Sequence, residues 1–196
     1  VSWKFSPPYG PNFNGMAESN IKITKYHLNR VMGTHPYTFE ELYTLLTRIE
    51  SVLNSRPLCA LSASTDDDFN FLTPGHFLTG AHLLEKPEED LSSVPEPRLS
   101  RWQRVSHTLQ SFWRQWKKQF IHSMIQRNKW TSATSNLEEG DLVLLYDTKC
   151  SPLSWPLGRV VDVCPGGDGI VRVAKIRTTS GVLTRPVSKL VVLPRY

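Results

Sequence analysis

Apolar side chains recur every three or four residues in three long segments of the chain, which predicts three amphipathic helices. The segments are residues 15–32, 38–56 and 99–129. Asn14 is a candidate N-cap for the first helix, and Gly33 followed by Pro36 supplies its stop. Thr38 and Glu41 have the spacing of a capping box at the start of the second helix.

The third helical segment combines an aromatic stripe with a basic surface. The stripe is more typical of a core or a helix–helix seam than of a base-stacking platform, and it comprises Trp102, Val105, Leu109, Phe112, Trp116 and Phe120. No acidic residue occurs between Arg98 and Lys129. The same span holds eight basic residues, mostly off the stripe: Arg98, Arg101, Arg104, Arg114, Lys117, Lys118, Arg127 and Lys129. Such a surface would gain affinity for a nucleic acid by releasing phosphate counterions.

Short β-rich runs separated by turn signals replace the helical pattern after residue 141. The runs are residues 142–146, 158–164, 170–178, 182–185 and 189–193, with hairpin signals at 165–169 and 179–181. Alternation places Arg172 on one face, whereas Lys175 and Arg177 need a change of phase, so we expect a bulge near Ala174. Five short strands can bury a common face by curling on themselves, which favours a small SH3-like barrel.

Residues 61–97 lack periodicity and are expected to form a linker. Its three adjacent aspartates are expected to form a solvated acidic turn, because successive loop residues seldom converge on one metal ion. They are Asp66, Asp67 and Asp68. The stretch 71–80 is too apolar to be fully exposed and is expected to pack against a folded domain, with His76 and His82 as surface or packing residues.

The composition of 196 residues, 39% of them hydrophobic, fits one or two small domains. No apolar run has the length of a membrane span and no signal peptide opens the chain, so we expect no membrane partner. The first residue is Val1, which suggests a piece of a longer protein. The cysteines are far apart and form no CxxC pair, so we expect reduced, mostly buried thiols in an intracellular protein. They are Cys59, Cys150 and Cys164.

The net charge of +5 is unevenly distributed along the chain. Residues 1–90 contain 7 basic and 11 acidic side chains, whereas residues 91–196 contain 16 basic and 7 acidic ones. An acidic first half and a basic second half indicate two functional regions, of which the second faces a polyanion. The alternative is a basic domain that is merely soluble.

Glu18 follows a proline-rich lead-in and shares one helical face with Lys22 and Lys25. On its own, a Glu four residues before a Lys is an ordinary surface ion pair. The whole string PPYGPNFNGMAES, with the two lysines after it, resembles the last catalytic block of retroviral-type integrases. In those enzymes a proline-rich loop and an Asn/Gly pair precede the Glu of an Asp-Asp-Glu triad.

Further motifs narrow the resemblance to the BEL/Pao group of LTR retrotransposons. Trp3, Phe5 and the paired prolines point to this group, although it usually has Gly-Gly and then Trp where this chain has Asn14-Gly15 and Ala17. Four later phrases also resemble these integrases and the Pol module that follows their core. They are NSRPL at 54–58, LTPGHFL at 72–78, FWRQW at 112–116 and NLEEGD at 136–141.

The resemblance implies an α+β chain at the C-terminal end of an integrase within a Pol polyprotein. Its parts would be the last helices of an RNase H-like core, a linker packed on that core, a long basic amphipathic helix and an SH3-like β-barrel. The corresponding ranges are 1–60, 61–97, 98–130 and 136–196. Glu18 would be the third carboxylate that holds two Mg²⁺ or Mn²⁺ ions for strand transfer, and Lys22 and Lys25 would face the DNA. The two aspartates of the triad lie upstream of this chain, so we predict that it is inactive alone.

DNA is the expected partner, with the rest of the Pol polyprotein and a homo-oligomer, in the nucleus. The candidate DNA-binding residues are Lys22, Lys25, Arg101, Arg104, Arg114, Lys117, Lys118, Arg159, Arg172, Lys175, Arg185 and Lys189. Two alternatives remain. One is a transposon-derived nucleic-acid or chromatin binding protein without catalysis. The other is a scaffold whose aromatic helix serves only to oligomerise.

Overall fold

The fold is mixed α+β. A computed structural model describes residues 5, 7, 10, 15–61, 69–83, 88–125, 136–146 and 150–195. The helices are α1 (Gly15–Val31), α2 (Phe39–Asn54), the short α3 (Pro74–Thr79) and α4 (Arg101–Met124). The three predicted helices are therefore confirmed, and the apolar stretch 71–80 contributes a fourth. The candidate N-cap Asn14, the aspartates at 66–68 and the predicted end of the third helix at 129 lie outside the described residues.

Capping boxes fix where α2 and α4 begin. Thr38 Oγ1 accepts from Glu41 N at 3.3 Å and Thr38 N donates to Glu41 Oε2 at 2.8 Å, which confirms the predicted box. Ser100 and Gln103 form the same reciprocal pair at α4, with distances of 3.3 and 2.9 Å. Because each box satisfies orphan backbone N–H groups, α4 begins at Arg101 rather than at residue 99.

All five predicted strands of the second half are present and form one antiparallel sheet. They are β3 (Leu142–Leu145), β4 (Leu157–Pro165), β5 (Val171–Thr178), β6 (Gly181–Pro186) and β7 (Leu190–Val192), in the order β6-β5-β4-β3-β7. The two predicted hairpins join β4 to β5 and β5 to β6. The first half adds a two-stranded ladder of β1 (Cys59–Ala60) and β2 (Phe71–Leu72).

The five-stranded sheet does not close into a barrel. Strands β6 and β7 lie at its two edges, and no ladder joins them in the part of the chain that the structure describes. The expectation of closure assumed that the sheet alone must bury its apolar surface. Instead, all four residues of β3 are buried, with Leu142 and Leu144 in the cluster that contains α4 and Val143 and Leu145 in a separate cluster. Packing against a helix thus replaces closure.

The ladder between β4 and β5 has two irregularities, and the one in β5 confirms the bulge predicted near Ala174. Val161 is an extra residue in β4 between the pairs Val160–Ile176 and Asp162–Lys175, and Arg172 is an extra residue in β5. Ala174 pairs regularly with both neighbouring strands. The predicted change of phase does occur, because Arg172, Lys175 and Arg177 are all exposed, and the extra residue in β5 that accounts for it is Arg172.

One hydrophobic cluster joins the helices to the sheet. It includes Leu45, Ile49 and Val52 of α2, Phe112 and Trp113 of α4, and residues of β3, and part of α1 packs against it. Trp155, just before β4, lies 4.9 Å from Trp113 and 5.9 Å from Trp116 between ring centroids. The aromatic stripe of α4 is thus confirmed as core, except that Trp102 is 58% exposed. This core includes residues on both sides of the predicted boundary at residue 98.

The stretch 71–80 packs against the end of α2. Phe71 belongs to the main cluster, and a Cβ on Gly75 would lie 3.2 Å from the Asn54 carbonyl oxygen. The backbone also ties this region to the sheet, because Ala60 N donates to Pro194 O at 2.9 Å. His82 stacks edge-on to Phe71 with ring centroids 4.3 Å apart, which agrees with a packing role.

Two further observations concern the described helices and the cysteines. Among the helices in the described ranges, none is both long and apolar enough to cross a membrane. None of the three cysteines forms a disulfide among the described residues. Cys59 and Cys150 are half-buried, whereas Cys164 is exposed. The expectation of mostly buried thiols is therefore wrong. None of the three is fully buried, and Cys164 is exposed because its strand ends at the exposed hairpin.

Candidate nucleic-acid interface

The exposed face of α1 carries Glu18, Lys22 and Lys25, as predicted. The opposite face packs against the core through Ile23, Leu28 and Val31. His27 on that face is buried and contacts the Gln119 side chain of α4. Since a helix places residues three and four apart on one side, the carboxylate and the two ammonium groups point away from the core together.

Glu18 has no ready-made metal site around it. In the ranges that the structure covers, no three side chains of His, Cys, Asp or Glu converge as metal ligands. Mg²⁺ and Mn²⁺ favour several oxygen ligands, so one exposed carboxylate is an incomplete donor set. Glu18 could contribute one ligand to a site completed by other carboxylates, and these residues alone would not hold the ion.

Arg114 and Lys118 lie one turn apart on the exposed side of α4. Arg114 Nη2 donates to Ser111 Oγ at 3.2 Å, and neither Arg114 nor Lys118 forms an ion pair with a residue that the structure describes. Both cations face solvent, as the sequence predicts for this helix. The charge of Arg114 also contributes, after the hydrogen bonds from Ser92, to lowering the pKa of Asp90.

Two predicted DNA contacts are buried, and for these residues the prediction is wrong. Lys117 is 2% exposed, with its Nζ 5.2 Å from the centroid of the Trp113 ring. Arg159 is 5% exposed and donates from Nη1 to Gly140 O at 2.9 Å. Lys117 lies on the side of α4 that packs, and Arg159 lies in the buried first half of β4. These two side chains are buried because of where they lie in the fold, despite their charge.

Three other predicted contacts are exposed but already paired with carboxylates. Arg101 makes two hydrogen bonds to Glu41, at 2.7 and 3.0 Å, and Arg172 makes two to Asp168, at 2.9 and 2.6 Å. Lys175 Nζ lies 2.8 Å from Asp162 Oδ2. The hydrogen bond from Arg101 lowers the pKa of Glu41 to about 2, and the one from Arg172 lowers the pKa of Asp168 to about 2. A phosphate would have to compete with these acids.

The remaining predicted residues are Arg104, Arg185 and Lys189. Arg104 is half-buried, and its Nη1 lies 2.9 Å from Nε2 of His35. Arg185 is exposed on edge strand β6 and donates to Thr184 O at 3.2 Å. Lys189 is exposed, with its Nζ 4.9 Å from the centroid of the Tyr146 ring. Arg185 and Lys189 remain accessible to a polyanion.

Sequence reasoning assigned no role to two further basic residues. Arg30 covers the Tyr26 ring, with Cζ 4.0 Å from the centroid, which adds a cation to the side of α1. Arg195 donates from Nη2 to Asp141 Oδ1 at 2.7 Å and so holds the chain end beside β3. The four-residue spacing of Tyr26 and Arg30 on one helix could have indicated the first contact. Nothing local in the sequence indicates the second.

Among the described residues, the predicted DNA contacts that are exposed and not hydrogen-bonded to a carboxylate form three groups. They are Lys22 and Lys25 on α1, Arg114 and Lys118 on α4, and Arg185 and Lys189 at β6 and the turn before β7. Exposed lysine and arginine side chains without carboxylate partners are the groups that best replace counterions along a phosphate backbone.

Comparison with known proteins finds one family. Residues 100–193 match a family of unknown function (DUF5641), which is slightly less than half of the chain. The match begins at Ser100, the N-cap of α4, and ends one residue after β7. Helix α4 and the five-stranded sheet thus lie together within the matched region. No curated protein and no solved structure matches the chain.

Proposed function

We propose that this chain is the C-terminal part of an Asp-Asp-Glu integrase from the Pol polyprotein of a BEL/Pao LTR retrotransposon. Its own contribution is to bind DNA and to supply Glu18 to a two-metal strand-transfer site. The observation that carries the proposal is the exposed face of α1, on which Glu18, Lys22 and Lys25 lie together after the PPYGPNFNG lead-in. Integration would require the rest of the polyprotein, a homo-oligomer and access to the nucleus.

The exposed apolar surface of α2 supports the proposal that this chain is one part of a larger domain. Phe39 is 79% exposed and Tyr43 is 66% exposed, with their rings stacked at a centroid distance of 6.2 Å, and Leu46 follows on the same side. Large aromatic side chains on one helical face normally pack against another element. In our proposal that element is the upstream part of an RNase H-like core, which would also bring the two missing aspartates.

The sheet supports the second part of the proposal, an SH3-like module. Its last strand, β7, returns to pair with its first strand, β3, and a 3-10 turn (Val187–Lys189) precedes it. Short twisted sheets of this size suit non-specific contact with a phosphate backbone, because such contact needs charge rather than base-edge geometry. Arg185 and Lys189 would act here together with Arg114 and Lys118 of α4.

In the proposed chemistry, water or a DNA 3′-hydroxyl attacks a phosphodiester bond. Paired Mg²⁺ or Mn²⁺ ions stabilise the attacking and leaving oxygens of such a displacement. The role of Glu18 would be to ligate one ion with its carboxylate oxygens, while Lys22 and Lys25 hold the DNA strand at the same face. An isolated chain that carries a single triad carboxylate should therefore show no metal-dependent strand transfer.

A transposon-derived binding protein without catalysis is the second candidate. The observation that favours it is that the family match covers only α4 and the sheet, where most of the accessible cations lie, and leaves out α1. In that case Glu18 would be a surface residue with no metal role.

The transcript upstream of the Val1 codon separates the two candidates. Two aspartates in an RNase H-like strand pattern, with reverse transcriptase further upstream, would support the integrase. A start codon or an unrelated domain there would support the binding protein. In the complete integrase, Glu18→Gln should abolish strand transfer, whereas the exposed Glu40→Gln should leave it unchanged. Equal activity of the two variants would remove Glu18 from the active site.

A further inference from the structure

A cavity of about 290 Å³ lies beside the first turns of α4. It forms where the loop between α1 and α2 meets the 3-10 turn Glu96–Arg98. Its lining residues are Thr34, His35, Pro36, Glu96, Pro97 and Arg104. The pocket is open to solvent, and its volume, near the lower end of the range for small-molecule sites, accommodates a single flat ring system.

Two oppositely charged side chains, Arg104 and Glu96, line this cavity. Arg104 Nη1 contacts the His35 ring at 2.9 and 3.2 Å, and its buried Nε has no hydrogen-bond partner among the described atoms. One Glu96 carboxylate oxygen lies 4.0 Å from the position of a Cβ built on Gly33. Neither Arg104 nor Glu96 forms an ion pair within the described ranges. A cation and an anion that line one cavity suit a ligand that carries both hydrogen-bond acceptors and donors.

We propose that this cavity binds an unpaired guanine base. The N7 and O6 acceptors of guanine match an arginine guanidinium such as that of Arg104. Its N1–H and N2–H₂ donors lie on the adjacent edge and match the carboxylate of Glu96. The rings of Pro36 and Pro97 offer apolar surface to the faces of the base. The inference rests on the proposed nucleic-acid function, in which a single-stranded or frayed end presents the base.

Other bases fit the same groups less well. Adenine turns an amino donor toward the arginine and has no N1–H for the carboxylate. Hypoxanthine keeps O6, N7 and N1–H but lacks the amino group, so it tests the hydrogen bond from that amino group to Glu96. A non-aromatic zwitterionic amino acid also carries both charges, but it has no flat ring to cover the two prolines.

Equilibrium binding of GMP, IMP and AMP to the 196-residue chain tests the proposal, because the three ligands share one phosphate and differ only in the base. We expect GMP to bind about tenfold more tightly than either competitor, the discrimination typical of one good bidentate contact. NMR titration with GMP should shift the His35 ring signals. Equal affinity for the three nucleotides, or preferential binding of free amino acids, would overturn the proposal.

Variants separate the cavity from general electrostatics. Glu96→Gln should remove the preference for GMP over IMP, and Arg104→Gln should weaken binding of both. The matched control is Arg98→Gln, which removes an exposed cation two residues from Glu96 that does not line the cavity. Circular dichroism shows whether each variant is folded. An unchanged preference in a folded Glu96→Gln protein would contradict the assignment.

Oligonucleotides distinguish failure of this inference from failure of the proposed function. An oligo-dT strand and the same strand with one dG should both bind, and the dG strand should bind more tightly. Equal, salt-sensitive binding of both would leave the DNA function in place and remove the guanine site. Absence of binding by either strand in low salt would remove the DNA function as well.

Discussion

Trp155 Nε1 donates a hydrogen bond to Ser55 Oγ at 3.1 Å and so joins the sheet to the end of α2 across 100 residues of sequence. Both residues are buried, and Trp155 also packs among the aromatic side chains of α4. This contact connects the region that matches the family with the part of the chain that precedes it. The helical half and the sheet therefore share one core.

Trp155→Phe should test this connection. It keeps an aromatic ring but removes the indole N–H, leaving Ser55 without this donor, and we expect a loss of about 1–3 kcal/mol in the free energy of unfolding. Urea denaturation followed by far-UV circular dichroism measures the change. The helical and sheet signals should shift together in one transition.

Trp102→Phe is the matched control for that experiment, because Trp102 is largely exposed on the same helix that Trp155 contacts. We expect it to change the free energy of unfolding by less than about 0.5 kcal/mol. Separate transitions for the two halves in either protein would show that the shared core is not a cooperative unit.

Gly158 tests the register of β4 against β5. A Cβ at this position would lie 2.8 Å from the Arg177 carbonyl oxygen and would overlap the Ile176 side chain. We therefore expect Gly158→Ala to destabilise the protein by about 1–3 kcal/mol, as overpacking does in other cores. Thermal unfolding measures the effect. Gly167→Ala is the control, since a Cβ there meets no atom within 4 Å, and it should leave the midpoint nearly unchanged.

The pair of Glu41 and Arg101 should make stability depend on pH in the acid range. The hydrogen bond from Arg101 lowers the pKa of Glu41 from its ordinary value of 4.5 to about 2. A carboxylate with a lowered folded pKa stabilises the protein above the unfolded pKa, and this stabilisation is lost as the pH falls from about 4.5 through about 2. Glu41→Gln keeps the capping box but removes the charge.

Urea unfolding at pH 6, 4 and 3 measures this dependence. We expect the advantage of the parent protein over Glu41→Gln to be largest at pH 6 and to shrink toward pH 3. Glu40→Gln removes a neighbouring exposed charge and should show no such trend. A constant difference between the parent and Glu41→Gln across this pH range would contradict the linkage.

Local signals in the sequence predicted the secondary structure well, and they failed where packing partners decide the outcome. The capping box of α2 and the five strands could be found because they depend on nearby residues. The open sheet could not, because its closure depends on whether α4 covers one face. The prediction that Lys117 contacts DNA was wrong for the same reason. Its charge suggested a surface position, but only the placement of α4 against the sheet shows that this side chain is buried.

The salt dependence of DNA binding should distinguish accessible cations from those already paired with acids. Each phosphate contact that is lost lowers the slope of log K against log salt concentration by about 0.9 for duplex DNA. Arg114→Gln with Lys118→Gln should therefore reduce the slope by about 1.8 and weaken binding to all sequences alike. Arg172→Gln with Lys175→Gln removes the same formal charge but should reduce the slope less, because Asp168 and Asp162 already neutralise these side chains. Fluorescence anisotropy on two duplexes of different sequence at several salt concentrations measures both slopes and their independence of sequence. A larger reduction of the slope by the second pair of substitutions would locate the DNA on the sheet hairpin rather than on α4. No measurable DNA affinity at low salt would instead support the alternative in which the aromatic helix serves only to oligomerise.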